Sequence, residues 1–269
     1  MAATPTDLPA QYLLETGTDL SREQLECIGT LHDRHTIDML ATAGLRRGGR
    51  CLEIGAGNGG IARWMADRVR PGGHVLAVDI DTTRLVGGPG LEVRRHDIDE
   101  GVPDGGPFDL IHARMVLMHL PRRREIVTEL IDALAPGGAL VLGEYALSSF
   151  EPLAAPNRAA ADLFDRVVRT TIDRIGRPGG ICYEWAHEMD DYLVRAGLVD
   201  VHSERAIQTT AGAGTGCILY SNYIKQVAPR LHEIGISAGD LELFHALMLD
   251  PRFRAWQFEF NCVRAQKPM

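Results

Sequence analysis

The sequence predicts an α/β protein built on a doubly wound, mostly parallel sheet, and three observations carry that prediction. Between residues 50 and 144, short apolar runs closed by glycine or an acid alternate with amphipathic helical stretches. A glycine-rich segment, Gly55-Ala56-Gly57-Asn58-Gly59-Gly60, separates the first of these runs from a helical one. The punctuating triplets Pro71-Gly72-Gly73 and Pro136-Gly137-Gly138 stop two helical stretches before the next apolar run begins.

The first dozen residues carry no pattern. Residues 12–45 read as helical, with Leu25, Ile28, Leu31, His35, Met39 and Leu40 at helical spacing. Thr18 or Ser21 is placed to cap, and Ser21 with Gln24 makes a capping-box pattern. Strands are predicted at 50–54, 74–79, 91–96, 108–113 and 139–144, with helices at 60–69 and 122–134. Beyond Tyr145 the alternation breaks. Residues 149–175 and 184–196 read as helical, 198–207 as a sixth strand, 211–216 as a loop, 217–249 as helical and 256–264 as a seventh strand. The organisation is therefore an N-terminal helical lid at 1–45 and one domain at 46–269. Helical cap insertions fall at about 149–196 and 211–250, where specificity usually resides.

The 269 residues suffice for one large core, and the formal net charge of −8 disfavours phosphate backbones as partners. Arg122, Arg123 and Arg124 form a local basic cluster that reads as a solvated helix end. The five cysteines are scattered without CxxC spacing, which fits a reducing compartment and argues against a zinc cluster. The N-terminal stretch has no basic start or apolar run, and no apolar stretch spans a membrane, so a cytoplasmic location is expected.

The chemistry concentrates at strand ends. In Cys51-Leu52-Glu53-Ile54-Gly55-Ala56-Gly57-Asn58-Gly59-Gly60, glycines let the backbone turn tightly and approach a ligand. Gly55, Gly57 and Gly60 also satisfy the dinucleotide pattern GxGxxG, so the loop alone does not name its ligand. Glu53 is placed to orient the loop or to reach an amino group through water. Asp79 ends the second strand, where a carboxylate can accept from both ribose hydroxyls. His96 and Asp97 end the third, where Asp97 can accept from an adenine amino group while Ile80 and Ile98 sandwich the ring.

As a set, these segments resemble the class I S-adenosylmethionine-dependent methyltransferases. Glu53 to Gly59 matches their first motif, Asp79 their ribose-binding acid and Asp97 their adenine-binding acid. Phe108-Asp109-Leu110-Ile111-His112-Ala113-Arg114 matches their fourth strand, and Leu134-Ala135-Pro136-Gly137-Gly138-Ala139-Leu140 their turn into strand five. The resemblance covers 51–145. More loosely, the whole chain is similar to small-molecule methyltransferases of bacterial natural-product pathways. It implies a seven-stranded Rossmann-like sheet whose seventh strand is antiparallel, S-adenosylmethionine as cofactor, S-adenosylhomocysteine as product, and a small-molecule acceptor methylated at O, N or C. Gly55, Ala56, Gly57, Asn58 and Gly59 would cradle the donor, and Tyr12 would fold over it or simply pack.

Methyl transfer from a sulfonium needs alignment and exclusion of water, and a base only when the acceptor holds its proton. His119, after strand four, is the base candidate, with a packed wall residue as the other reading. Glu144 and Tyr145 are expected to face the acceptor or to close the sheet edge. Arg114 stands where catechol-type relatives hold a metal-binding acid, so no metal site is expected; it pairs with a carboxylate of donor or substrate, or with one of the protein. Tyr183, Glu184, Trp185 and His187 read as helix packing or pocket lining. His32 and His35 have no third metal ligand in view. The fourth-strand end, His112-Ala113-Arg114-Met115, lacks the signature of nucleic-acid amine methylation. Three rivals stay open: a donor-binding enzyme of the same fold catalysing a step such as cyclisation, a nicotinamide-dependent oxidoreductase, and a cofactor-sensing protein. A homodimer through the N-terminal helices is an open option.

Overall fold

A computed structural model describes residues 13–14, 16–147 and 151–269. Tyr12 lies outside them. The first helix, α1 (Asp19–Thr42), opens on a capping box in which Thr18 is the cap and Ser21 its reciprocal partner. Ser21 is therefore the third residue of the helix rather than its cap, and Gln24 is left for other work. The buried stripe of α1 runs through Gln24, Ile28, His32, Thr36 and Leu40. His32 is buried on the inward face, while His35 is half-buried at its edge with its ring against Phe260.

The central sheet follows the predicted alternation: β1 (Arg50–Ile54), α2 (Gly60–Val69), β2 (His74–Asp79), β3 (Leu91–Arg95), β4 (Phe108–Arg114), α3 (Arg123–Ala133) and β5 (Leu134–Ala146). β5 starts five residues before its expected beginning, because Leu134 already pairs with Phe108 before the Pro-Gly-Gly turn shifts the register. Residues 149–175 are not wholly helical. A short strand, β6 (Pro152–Ala154), precedes α4 (Arg158–Thr171), which ends in one π-turn at Ile172–Gly176. There follow α5 (Trp185–Arg195), β7 (Val199–Ala206), β8 (Thr209–Ala211), α6 (Thr215–Glu233), α7 (Ala238–Leu247), β9 (Arg254–Trp256) and β10 (Glu259–Gln266).

Seven strands form one sheet in the order β3-β2-β1-β4-β5-β10-β7. β10 runs antiparallel to both neighbours, as expected of the seventh strand of this fold. Its first expected residue belongs elsewhere: Trp256 ends β9 (Arg254–Trp256), the centre of a second, three-stranded antiparallel sheet, β6-β9-β8.

Strand alternation splits the core into two layers. Leu52, Leu140 and Leu142 face α3 and α5, with Trp185 fully buried among them. Cys51, Val141 and Tyr145 face the other way, toward α2, α4 and α6. Burying a side chain as large as Trp185 or Phe164 contributes roughly 2–3 kcal/mol against the entropy of ordering it. α6 is tied to α1 by polar bonds: the Asn222 amide donates to the Leu20 carbonyl (2.9 Å) and to Glu23 (2.7 Å), and Gln226 donates to Gln24 (2.7 Å). The N-terminal helix and the second insertion thus form one covering over the strand ends. No helix among the described residues is long and apolar enough to cross a membrane.

Candidate active site

The carboxyl ends of β1, β2, β3 and β4 open onto a single cavity of about 1070 Å³. The glycine loop forms one wall. Gly55 adopts φ +66°, and a Cβ there would stand 2.2 Å from a methyl of Val116, so only glycine fits beside that residue. Gly57 (φ +56°) lies under Leu25 of α1. Gly59 caps α2 in the left-handed conformation, off the cavity wall, while the Asn58 side chain accepts from the Gly60 amide (3.2 Å). Ala56 completes the wall.

Asp79 fastens this loop. Its carboxylate accepts from the Gly57 amide (2.8 Å) and from the Asp81 amide (2.9 Å), one on each oxygen. Each oxygen keeps a lone pair for a diol. Burial raises the pKa of Asp79, and the backbone amides oppose that shift. Asp97 accepts from the Asp99 amide (3.0 Å) at the start of a short 3-10 turn and faces the cavity beside Ile98. Ile98 is buried, but Ile80 across from it is 41% exposed, an apolar surface that a flat ring would cover. His96 also lines the cavity, and its ring donates to the Gly101 carbonyl (2.7 Å).

Glu53 lines the cavity with only 3% of its surface exposed, held by a 2.7 Å bond between its Oε2 and Nδ1 of His112 on β4. The parallel register sets Glu53 directly beside His112. Arg114 lines the cavity too, but its guanidinium donates to Asp33 (2.8 Å) and Thr36 (3.0 Å) of α1. Of the two partners open to it in the sequence, the protein's own carboxylate is the one engaged.

The base candidates separate. His119 and Tyr145 line the cavity; Glu144 does not. The expectation that Glu144 and Tyr145 share the acceptor side is corrected by strand alternation, which sends neighbours to opposite faces. Glu144 is fully buried on the far face, where Oε1 accepts from the Leu117 and Met118 amides (2.9 and 3.3 Å). Burial pushes its carboxyl up to about 8. Burial also lowers the His119 imidazole to about 4, with Arg123 adding to the shift, so the ring is neutral near pH 7. The Tyr145 hydroxyl meets Nε2 of His32 at 2.7 Å. Burial, then the charge of Arg114, lowers His32 to about 3, and burial raises the Tyr145 phenol. His32, read in the sequence only as an improbable metal ligand, is thus the partner of a cavity-wall tyrosine.

Beyond Tyr145 the cavity continues between α4, its π-turn and α6. Tyr183, Tyr220, Tyr223 and Phe258 line this part, with Met115 between the two halves at φ +55°. Tyr183 was among the residues of the first insertion considered in the sequence; Trp185 is core, and neither Glu184 nor His187 lines the cavity. Tyr220, Tyr223 and Phe258 had no local signal, because they come from a helix and a strand end far apart in the chain.

Residues 29–205, more than half of the chain, match the family model described as a methyltransferase domain. The chain belongs to that family. This is the family of the S-adenosylmethionine-dependent methyltransferases, whose cofactor is S-adenosylmethionine. Among curated relatives, methyltransferase str2 of Strobilurus tenacellus is 36% identical over 98 residues, 35% of either chain. The ubiquinone/menaquinone biosynthesis C-methyltransferase UbiE of Laribacter hongkongensis is 30% identical over 131 residues, 44% of this chain and 51% of that one. The chain thus aligns with about a third to a half of the length of these relatives. In fold it is similar to Haemonchus contortus phosphoethanolamine N-methyltransferase 2 (TM-score 0.58, 18% identity, 99% of this chain and 62% of that one). It is also similar to the YcgJ protein of Bacillus subtilis (TM-score 0.56, 16% identity, 88% of this chain and all of that one).

Proposed function

We propose that the chain transfers the methyl group of S-adenosylmethionine to O, N or C of a small-molecule acceptor, in secondary metabolism and in the cytoplasm. One observation carries this reading: the glycine loop, Asp79 and Asp97 share a single continuous cavity with an aromatic chamber that a second molecule can enter. The residues fit the donor. Gly55 and Gly57 turn the loop backbone at positive φ where a Cβ would clash with Val116 and Leu25, Asp79 keeps lone pairs for a ribose, and Ile80 offers bare apolar surface opposite Ile98.

Bound S-adenosylmethionine supplies a methyl group already activated on a sulfonium. The protein's share is positioning. Asp79 holds the ribose, Asp97 the adenine amino group, and Ile80 with Ile98 the two ring faces; Glu53, fixed by His112, serves the amino end. α1 and the insertions exclude water, which favours transfer over hydrolysis. Where the acceptor keeps a proton, neutral His119 is the wall group placed to take it; Tyr145, protonated and bonded to His32, shapes the wall, and Glu144 serves the fold. The five free thiols, four of them buried, suit a reducing compartment.

The test is turnover with methyl-labelled donor and a panel of small acceptors. Label in the acceptor together with released S-adenosylhomocysteine is the expected result. Consumption of an acceptor with no S-adenosylhomocysteine released would sink the reading in favour of a non-methylating step.

A further inference from the structure

The charges on the cavity wall are not spread over it. Among the described residues, every carboxylate and guanidinium that lines the cavity comes from residues 53–114, the stretch that carries the donor assignment above. Among the described residues, none of the lining side chains after Glu144 carries a carboxylate, guanidinium, ammonium or imidazole. That part is built from rings and aliphatics: Tyr145, Tyr183, Tyr220 and Phe258 with Ile172 and Ile224. Three of the hydroxyls there are committed to the protein. The Tyr145 hydroxyl is bonded to His32, the Tyr220 hydroxyl donates to the Trp256 carbonyl (2.9 Å), and the Thr171 hydroxyl donates to the Val167 carbonyl (2.8 Å). Burial raises the phenols of Tyr145, Tyr183 and Tyr220, so none of them supplies an anion.

The rings are arranged as a wall rather than a cage. Phe258 packs against Tyr145 (centroids 5.1 Å apart, 33° between planes), Tyr220 (5.3 Å, 38°) and Tyr223 (6.3 Å, 77°). A cage for a quaternary ammonium needs open faces turned toward a common centre, whereas here Phe258 is packed by two tilted rings and one edge-to-face ring. Tyr183 already has the Arg177 guanidinium over its ring at 5.8 Å, and that cation is paired with Glu184.

We propose that the acceptor of this site is an uncharged, largely apolar molecule of ring-system size, bound against the Phe258 wall, and that ionic acceptors are excluded because the described residues lining the chamber offer no counter-charge. The inference rests on the donor assignment above. A charged acceptor entering the chamber loses its water and gains no partner, so its affinity falls steeply. An apolar one gains from covering apolar wall. The cavity volume exceeds the upper end of ordinary single-ligand pockets, leaving room for donor and acceptor together.

One ring system in three charge states tests this: 2-naphthol, 2-naphthoate and protonated 2-naphthylmethylamine, titrated calorimetrically into the full chain at pH 7, with and without saturating S-adenosylhomocysteine. The expected result is naphthol binding at least about tenfold tighter than either ion. In Ile181→Asp, which sets a carboxylate on a half-buried wall position, the preference should swing toward the ammonium. A charged analogue that matches or exceeds naphthol, or a charge preference unmoved by Ile181→Asp, overturns the proposal. Loss of S-adenosylhomocysteine binding instead contradicts the donor site, because the series without it still reads the chamber.

Discussion

Glu53 and Glu144 are both buried in the central sheet, and their partners decide what each can do. Glu53 has a histidine beside it and a cavity in front. Glu144 has two backbone amides on one oxygen and no partner among the described residues on the other. Its carboxyl is raised from 4.5 to about 8, so the folded state holds a proton that the unfolded chain releases across that window. Stability contributed by this group is therefore full below about pH 4.5 and lost as pH rises through 8. Glu144→Gln keeps the acceptor oxygen and removes the titration. The variant should match the parent near pH 5 and gain on it, by on the order of a few kcal/mol, at pH 8.5 in denaturant melts. Parallel pH curves would show that Glu144 is ionised in the fold. At Asp79, Asp79→Asn should weaken S-adenosylhomocysteine binding by about tenfold or more, since it loses charge-assisted bonds to ribose and loosens the Gly57 amide. An unchanged dissociation constant would remove Asp79 from the donor site. These positions were legible because strand ends carry chemistry in this topology. His32 and His112 were not, since their meaning comes from Tyr145 and Glu53, 113 and 59 residues away in the chain.

At the scale of elements, α1 is held at its N-terminal end from two sides. Thr18 caps it and lends its carbonyl to Arg84 (2.6 Å) from the loop after β2, while Asn222 and Gln226 of α6 bind its first turns. Thr18→Ala should cost about 1 kcal/mol in chemical melts, the usual loss for a helix cap. If stability is untouched, the box contributes nothing to the fold. Gly55→Ala should be harsher, because its Cβ meets Val116 at 2.2 Å in a left-handed turn; donor binding should be lost even where the protein still folds. Undiminished binding would mean that the loop opens freely. Elements from β1 to β2 matched their expected bounds because apolar runs and glycine stops coincide there. The second sheet was missed because its strands are three residues long and pair across long stretches of chain, too short for alternation to register. The split between α6 and α7 was missed as well, although Ser237 and Asp240 form a capping box that marks it.

Over the whole molecule, the sheet order places the donor-side carboxylates at the ends of β1 to β3 and closes the other edge with antiparallel β10 and β7. The fold was legible from alternation and five ordered motifs. The chamber was not, because its wall is assembled from α4, α6 and the residues before β10, segments with no common motif. The central claim is that this cavity holds S-adenosylmethionine. Calorimetric titration of the full chain with S-adenosylhomocysteine, with NADH as control and Asp97→Ala in parallel, tests it most directly. Micromolar binding of S-adenosylhomocysteine alone, weakened about tenfold in the variant, is the expected result. No binding, or preference for NADH, would contradict it.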